Sequence, residues 1–185
     1  MTTKLTTVID ATRKALLNPQ DTEQAFRIAD ALSFGAPKRI TRRYRRSPIG
    51  RSRLADRRQL LDVLLDRAAL EAMPAASVGR AYLDFLDSEG ITAGGLVAAS
   101  EAAHGANSDP DVAFVQQELR DMHDLWHTVT GYRGDLLGEA GVLAFSFGQL
   151  GHIGLGFLAA IAIVLAPSPY YRRFVIEGFR KGRAA

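Results

Sequence analysis

The sequence contains no cysteine, so neither a disulfide framework nor a thiolate metal site is open to it. Any metal must then be held by imidazole and carboxylate, a donor set that suits zinc, iron, manganese or magnesium better than copper(I). Period-two alternation of apolar and polar residues is nowhere sustained long enough for a strand, which leaves an all-α fold. The opening Met-Thr-Thr-Lys-Leu-Thr-Thr-Val-Ile-Asp lacks the apolar core of a signal peptide, and an intracellular, cytoplasmic protein is expected. A chain of 185 residues suffices for one well-filled core. The expectation is a single multi-helix bundle over residues 1–185, with an irregular basic segment at 36–58.

Charge of either sign is missing from Ala140 to Tyr171. A bilayer-spanning helix needs about 20 apolar residues, and this run is longer. Ser146, Gln149 and His152 interrupt it, and Gly148, Gly151, Gly154 and Gly156 crowd its middle. Small residues at such spacing allow close helix approach in a membrane or in a buried core. Three arrangements fit: a long apolar central helix, which is the expectation, a membrane span, or a helix lining a lipid-binding groove at a membrane surface. Leu143, Phe147, Leu150 and Gly154 recur at helical spacing and would line such a groove. Gln149 and His152 could touch a ligand headgroup there, or pair within the core.

Acids are nearly absent from one further stretch. Lys38 to Arg58 holds 10 of the 23 basic residues and one of the 20 acidic ones, Asp56. Such a patch attracts phosphate, whether of nucleic acid, acidic lipid or a phosphorylated ligand, or it is a solvated loop with scattered ion pairs. Arg42, Arg43, Arg45 and Arg46 are its candidate anion-binding residues, with an anionic membrane surface as their target. No aromatic-rich or helix-turn-helix recognition surface accompanies them, so no nucleic-acid partner is expected.

Elsewhere the helical period recurs between stop signals. Leu5, Val8, Ile9, Thr12, Ala15 and Leu16 form a first helix, ended by Asn18-Pro19. Asp21 and Gln24 read as a capping box opening a second helix that runs to Gly35. A third carries Leu60 to Leu70 and stops before Pro74; a fourth is capped by Ser77 and runs to Gly90. A short fifth starts at Thr92 and ends at Gly105. Asp109-Pro110 opens a sixth, reaching through Met122 to a histidine pair.

That pair is His123 and His127, four residues apart on one helical face, where two imidazoles could share a metal ion. Asp124 flanks the same face. Gly131 offers a helix stop and Asp135 a cap for the next helix, which puts Glu139 in its first turn. A histidine pair beside an acid also arises without any metal. Asp124 stands where helical zinc proteases carry a longer Glu, so a protease is not expected. The placement of His104 and His152 does not complete a histidine–aspartate phosphohydrolase pattern.

The set His-Asp-x-x-His, eleven residues, then Glu, met here at His123, Asp124, His127 and Glu139, resembles the hallmark of the coenzyme Q (ubiquinone) biosynthesis protein 4 family. Similar words surround it: Leu137-Gly-Glu139, Leu143-Ala-Phe-Ser-Phe-Gly-Gln149, Asn18-Pro-Gln-Asp-Thr22 and Val78-Gly-Arg-Ala-Tyr-Leu-Asp-Phe85. The likeness runs over roughly residues 18 to 182. Family members continue past a Gly-Arg-x-Ala element into a short Trp-containing tail, whereas this sequence ends at Gly182-Arg-Ala-Ala185.

The resemblance implies an all-α protein, peripheral on a membrane (the inner face of the cell membrane in a bacterium). It implies a divalent metal, usually zinc, at His123, Asp124, His127 and Glu139. The implied reaction removes the C1 carboxyl of a polyprenylated 4-hydroxybenzoate and hydroxylates that carbon, with Asp124 and Glu139 as candidate acid–base groups. Implied partners are a polyprenylated aromatic or isoprenoid lipid, other ubiquinone-biosynthesis enzymes, and a second copy of the chain. The alternative is a non-catalytic scaffold that binds polyprenyl lipid and whose metal only pins helices together.

Overall fold

The computed structural model describes residues 2–18, 21–103 and 108–185. Pro19, His104 and Gly105, which the sequence reading invoked, lie outside the described residues. Every regular element among those described is a helix. In chain order they are α1 (Thr2–Leu17), α2 (Thr22–Ala31), α3 (Ala36–Arg46), α4 (Pro48–Asp56), α5 (Leu60–Leu65), α6 (Arg67–Glu71) and α7 (Val78–Glu89). There follow α8 (Gly95–Ala103), α9 (Pro110–Asp121), α10 (His123–Thr130), α11 (Leu136–Leu150), α12 (Ile153–Val164) and α13 (Pro169–Ala184). The all-α expectation holds.

The chain forms two compact units. One comprises Met1–Ala36, Ala99–Gly105 and Gly134–Ala185; the other comprises Pro37–Ala98 and Ala106–Arg133.

In the first unit, α1 packs on α2, α2 on α12, and α11 on both α12 and α13. The α11–α13 crossing is close because its contact residues are small. A β-carbon on Gly178 would stand 2.6 Å from the Gly141 carbonyl oxygen, and one on Gly148 would stand 2.6 Å from that of Phe179. Ala140, Ala144, Ala159 and Val175 fill the core between, with Leu143, Ile163 and Tyr171 against them. The charge-free stretch therefore does not make one long apolar helix. Gly151 adopts φ 63° and ends α11, its N–H donating to the Phe147 carbonyl at 2.9 Å. Glycine reaches that left-handed conformation without a β-carbon penalty, which is why the helix stops there. His152 then stands at the N-cap position of α12. Among the described residues, no helix is long and apolar enough to cross a membrane.

In the second unit, α7 packs against α6 and α10, and α9 against α5 and α10. Leu64, Leu70, Tyr82, Leu83 and Leu86 form its core, joined by Leu60, Phe85 and Leu125. The basic segment is not irregular: it forms α3 and α4. Proline is tolerated in a first helical turn, where its missing N–H has no partner to lose. Pro37 and Pro48 both sit there, and Ser47 caps α4 by accepting from the Gly50 N–H at 2.9 Å. The acids that stabilise the segment come from α9 and its cap. Arg45 bonds Asp109 and Asp111, Arg57 bonds Asp111, and Arg53 grips the buried Glu118 at 2.8 and 2.9 Å. A reading of local sequence cannot see partners more than fifty residues away.

Two further helices are shorter than their periodicity suggests. Asp66 splits Leu60–Leu70 into α5 and α6 by accepting from the Ala69 N–H at 3.0 Å. The helix that starts at Asp109 pauses at Met122, which separates α9 from α10. At Asp21 the expected reciprocal cap is replaced by a side-chain bond, Gln24 Nε2 donating to Asp21 Oδ2 at 3.2 Å.

Candidate metal centre

Helix α10 is short, and each end is set by an identifiable residue. Gly131, at φ 70°, terminates it. Four residues on, Asp135 caps α11 by accepting from the Gly138 N–H at 2.8 Å. Glu139 thus lies in the first turn of α11, where the N–H groups at the helix start favour a carboxylate.

The histidine pair is held by specific contacts. His127 is only 1 % exposed. Its ring stacks on Phe85 at 5.2 Å with 13° between planes, and His123 meets it edge-on at 4.9 Å. The Nδ1 of His127 lies 3.0 Å from the Tyr132 carbonyl oxygen. A carbonyl only accepts, so Nδ1 carries the proton and Nε2 carries the lone pair. His123 Nδ1 lies 3.2 Å from Asp124 Oδ1, and an ionised carboxylate likewise only accepts. Both rings are thereby set in the tautomer whose Nε2 can ligate a metal, the usual way a bond at one ring nitrogen orients the other.

His123 and His127 lie side by side in the second unit and could hold a metal ion between them, while Glu139 belongs to the first unit. The donor set of imidazole and carboxylate fits a divalent ion such as zinc. Asp124 has its side chain turned to His123 Nδ1.

Behind the motif lies Tyr82, whose side chain is fully buried. Burial, and then the charges of Asp124 and Asp121, push its phenol above the usual tyrosine range. Phe85, Tyr82 and the Tyr132 carbonyl are contributions that sequence reasoning missed. The carbonyl could not have been found that way, because any residue type supplies one.

The other expected groups lie as follows. Leu143, Phe147 and Leu150 are half-buried on α11, with Phe147 stacked on Phe179 at 5.5 Å. Gly154 is on α12, so the four do not share one continuous helix face. Nor is there room beside Gly154, where a β-carbon would stand 2.6 Å from Ala29 Cα. Gln149 and His152 are half-buried around the Gly151 break. Arg42, Arg43 and Arg46 line one concavity together with Arg39, while Arg45 is drawn to Asp109 and Asp111.

The profile of the family described as coenzyme Q (ubiquinone) biosynthesis protein Coq4 matches residues 1–179. The chain belongs to that family. Among curated relatives, a mitochondrial ubiquinone biosynthesis protein COQ4 homolog 2 from Culex quinquefasciatus is 35 % identical over 128 residues, covering 69 % of this chain and 55 % of its own. The human mitochondrial COQ4 homolog is 30 % identical over 137 residues, covering 74 % of this chain and 50 % of its own. The Coq4-family chain thus spans about half the length of the curated relatives it matches. A crystal structure from Nostoc punctiforme PCC 73102, described as that of a candidate ubiquinone biosynthesis protein, superposes with a TM-score of 0.66. It covers 98 % of this chain and 81 % of its own at 17 % identity, a likeness of fold.

Proposed function

We propose that this Coq4-family protein acts in ubiquinone biosynthesis on a polyprenylated 4-hydroxybenzoate, removing the C1 carboxyl and hydroxylating that carbon. The observation that supports the reading is the pairing of the His123 and His127 rings at 4.9 Å, in a chain that the Coq4 profile matches over residues 1–179. A divalent metal bound there would supply a Lewis acid for the carboxylate or phenolate of an aromatic acid. His123 and His127 present Nε2 donors whose tautomers are fixed by Asp124 and the Tyr132 carbonyl. Glu139, at the start of α11, supplies an anionic donor or a proton acceptor. Replacing a carboxyl group by hydroxyl is a two-electron oxidation, so the reaction takes an oxidant of the dioxygen class besides the aromatic acid. The apolar side chains of Leu143, Phe147 and Leu150 suit a prenyl tail, each buried CH₂ contributing about 0.8 kcal/mol. Attachment to a membrane surface and association with other enzymes of the pathway belong to the same reading.

The burial of His127 and its stacking on Phe85 favour a second reading, in which the metal only braces a lipid-binding scaffold. One experiment separates the two. Purified protein is assayed for metal content, then incubated with a prenylated 4-hydroxybenzoate labelled at the carboxyl carbon, under air and under nitrogen. Metal-dependent release of labelled CO₂, with a hydroxylated product found by mass spectrometry under air, supports the enzyme. Stoichiometric metal and retained lipid with no label released in either atmosphere would establish the scaffold.

A further inference from the structure

We propose that one end of the first unit, formed by the starts of α11 and α13 and the turn after α12, docks on an anionic lipid surface. It enters the headgroup layer without crossing the bilayer. The proposal rests on the membrane attachment contained in the function proposed above, and names the surface that makes it.

Three helices bring this end together. α11 and α13 run parallel, because the positions that meet advance together along both: Gly141 faces Gly178, and Phe145 faces Gly182. α12 packs on both and returns the chain to α13 through residues 165–168. The Tyr171 phenol donates to the Leu136 carbonyl at 2.9 Å, which ties the start of α13 to the start of α11.

Large apolar side chains gather at this end. Leu136, Val164, Leu165 and Tyr170 are all at least half exposed, from 50 % at Leu136 to 76 % at Val164. Single exposed apolar residues are ordinary, but several at one end of one bundle mark an interaction surface. The core of these helices is already filled by Ala140, Ala144, Ala159 and Val175. Charge names the partner. Arg172 and Arg173 follow directly, both exposed, and among the described residues no acid bonds either guanidinium. The sequence has no Asp or Glu between Glu139 and Glu177. Asp135, the acid at this end, is taken up in capping α11. Two parallel helices also point their positive ends the same way.

That combination fits the layered chemistry of a membrane surface. Aliphatic side chains reach the acyl boundary, a tyrosine ring sits at headgroup depth, and arginine meets the phosphates. A second copy, joined through a two-fold axis, would set Arg172 and Arg173 against their own equivalents, which like charge opposes.

The test is flotation of the full chain with phosphatidylcholine vesicles that contain or lack phosphatidylglycerol. Wild type is compared with Leu165→Ser/Tyr170→Ser and with Arg172→Gln/Arg173→Gln. The control is Leu5→Ser/Ile9→Ser on α1, a similarly exposed apolar pair elsewhere in the unit. Melting temperature checks that each variant folds. The Leu165/Tyr170 pair should weaken binding to phosphatidylglycerol vesicles at least about tenfold, and the α1 pair by no more than about twofold. The arginine pair should weaken it about tenfold and remove most of the preference for phosphatidylglycerol. Because the chain has no cysteine, Leu165→Cys carries a polarity-sensitive dye at that position alone. Its emission should shift to the blue when phosphatidylglycerol vesicles are added. None of these readouts involves turnover, so their outcome is separate from that of the labelled-carboxyl assay. Three results overturn the proposal: wild type that does not float, equal weakening by the α1 pair, or a blue shift that follows protein concentration without vesicles. The last would show a second copy covering this end.

Discussion

His127 Nδ1 lies 3.0 Å from the carbonyl oxygen of Tyr132, a bond that ties the inside of α10 to the turn that follows it. One contact thus fixes the ring's tautomer, its orientation and the path of the chain after Gly131. A buried histidine held in this way serves the fold whether or not it also binds a metal, and that decides which variants are informative.

His123→Ala is the better probe of metal binding, because its side chain is 23 % exposed while His127 is 1 % exposed. Bound zinc, measured by atomic absorption after dialysis, should fall at least about tenfold in His123→Ala, with melting shifted by only a few degrees. His127→Ala should lose metal and also destabilise the fold by about 2–4 kcal/mol, since a cavity opens against Phe85. Full metal content in His123→Ala would refute the site.

Asp124→Asn separates two roles for this carboxylate. As the group that orients His123, its loss should weaken zinc binding by about 10–100-fold while leaving one ion per chain at saturation. As a direct ligand, its loss should change the coordination itself, and X-ray absorption would show one oxygen donor fewer. The 3.2 Å contact with His123 Nδ1 favours the first result.

Tyr82 makes stability sensitive to alkali. Burial and the nearby acids raise its pKa in the folded state, so the fold favours the protonated phenol. The sign follows: above the unfolded value of about 10 the unfolded chain releases this proton first, so stability is full below that pH and falls as pH rises through it. Burial acts in the same direction on Tyr44 and Tyr171. Absorbance at 295 nm should therefore show fewer than the five tyrosines ionising before the helical circular dichroism collapses. Tyr82→Phe should move that collapse to higher pH; an unchanged alkaline midpoint would exclude Tyr82 as its cause.

Gly154 tests packing against an open groove. A methyl group there would meet the backbone of Ala29, which cannot yield as a flexible side chain does. Gly154→Ala should cost about 1–3 kcal/mol in urea denaturation, with metal content preserved. A fully stable Gly154→Ala would mean that α2 does not occupy this position.

The sequence by itself determined the helical class, most helix boundaries and the pairing of His123 with His127, because each depends on residues close together in the chain. Ser77, Asp109 and Asp135 cap helices through bonds no longer than three residues, and Gly90 and Gly131 end them by their own conformation. His123 and His127 share a face by helical periodicity alone. Tertiary structure decided the rest. The basic segment is helical because acids on α9, more than fifty residues away, neutralise Arg45, Arg53 and Arg57. The charge-free stretch signalled burial, but hydropathy could not tell one long helix from two. That outcome rested on the left-handed turn at Gly151, and on packing that places the Ala29 backbone against Gly154.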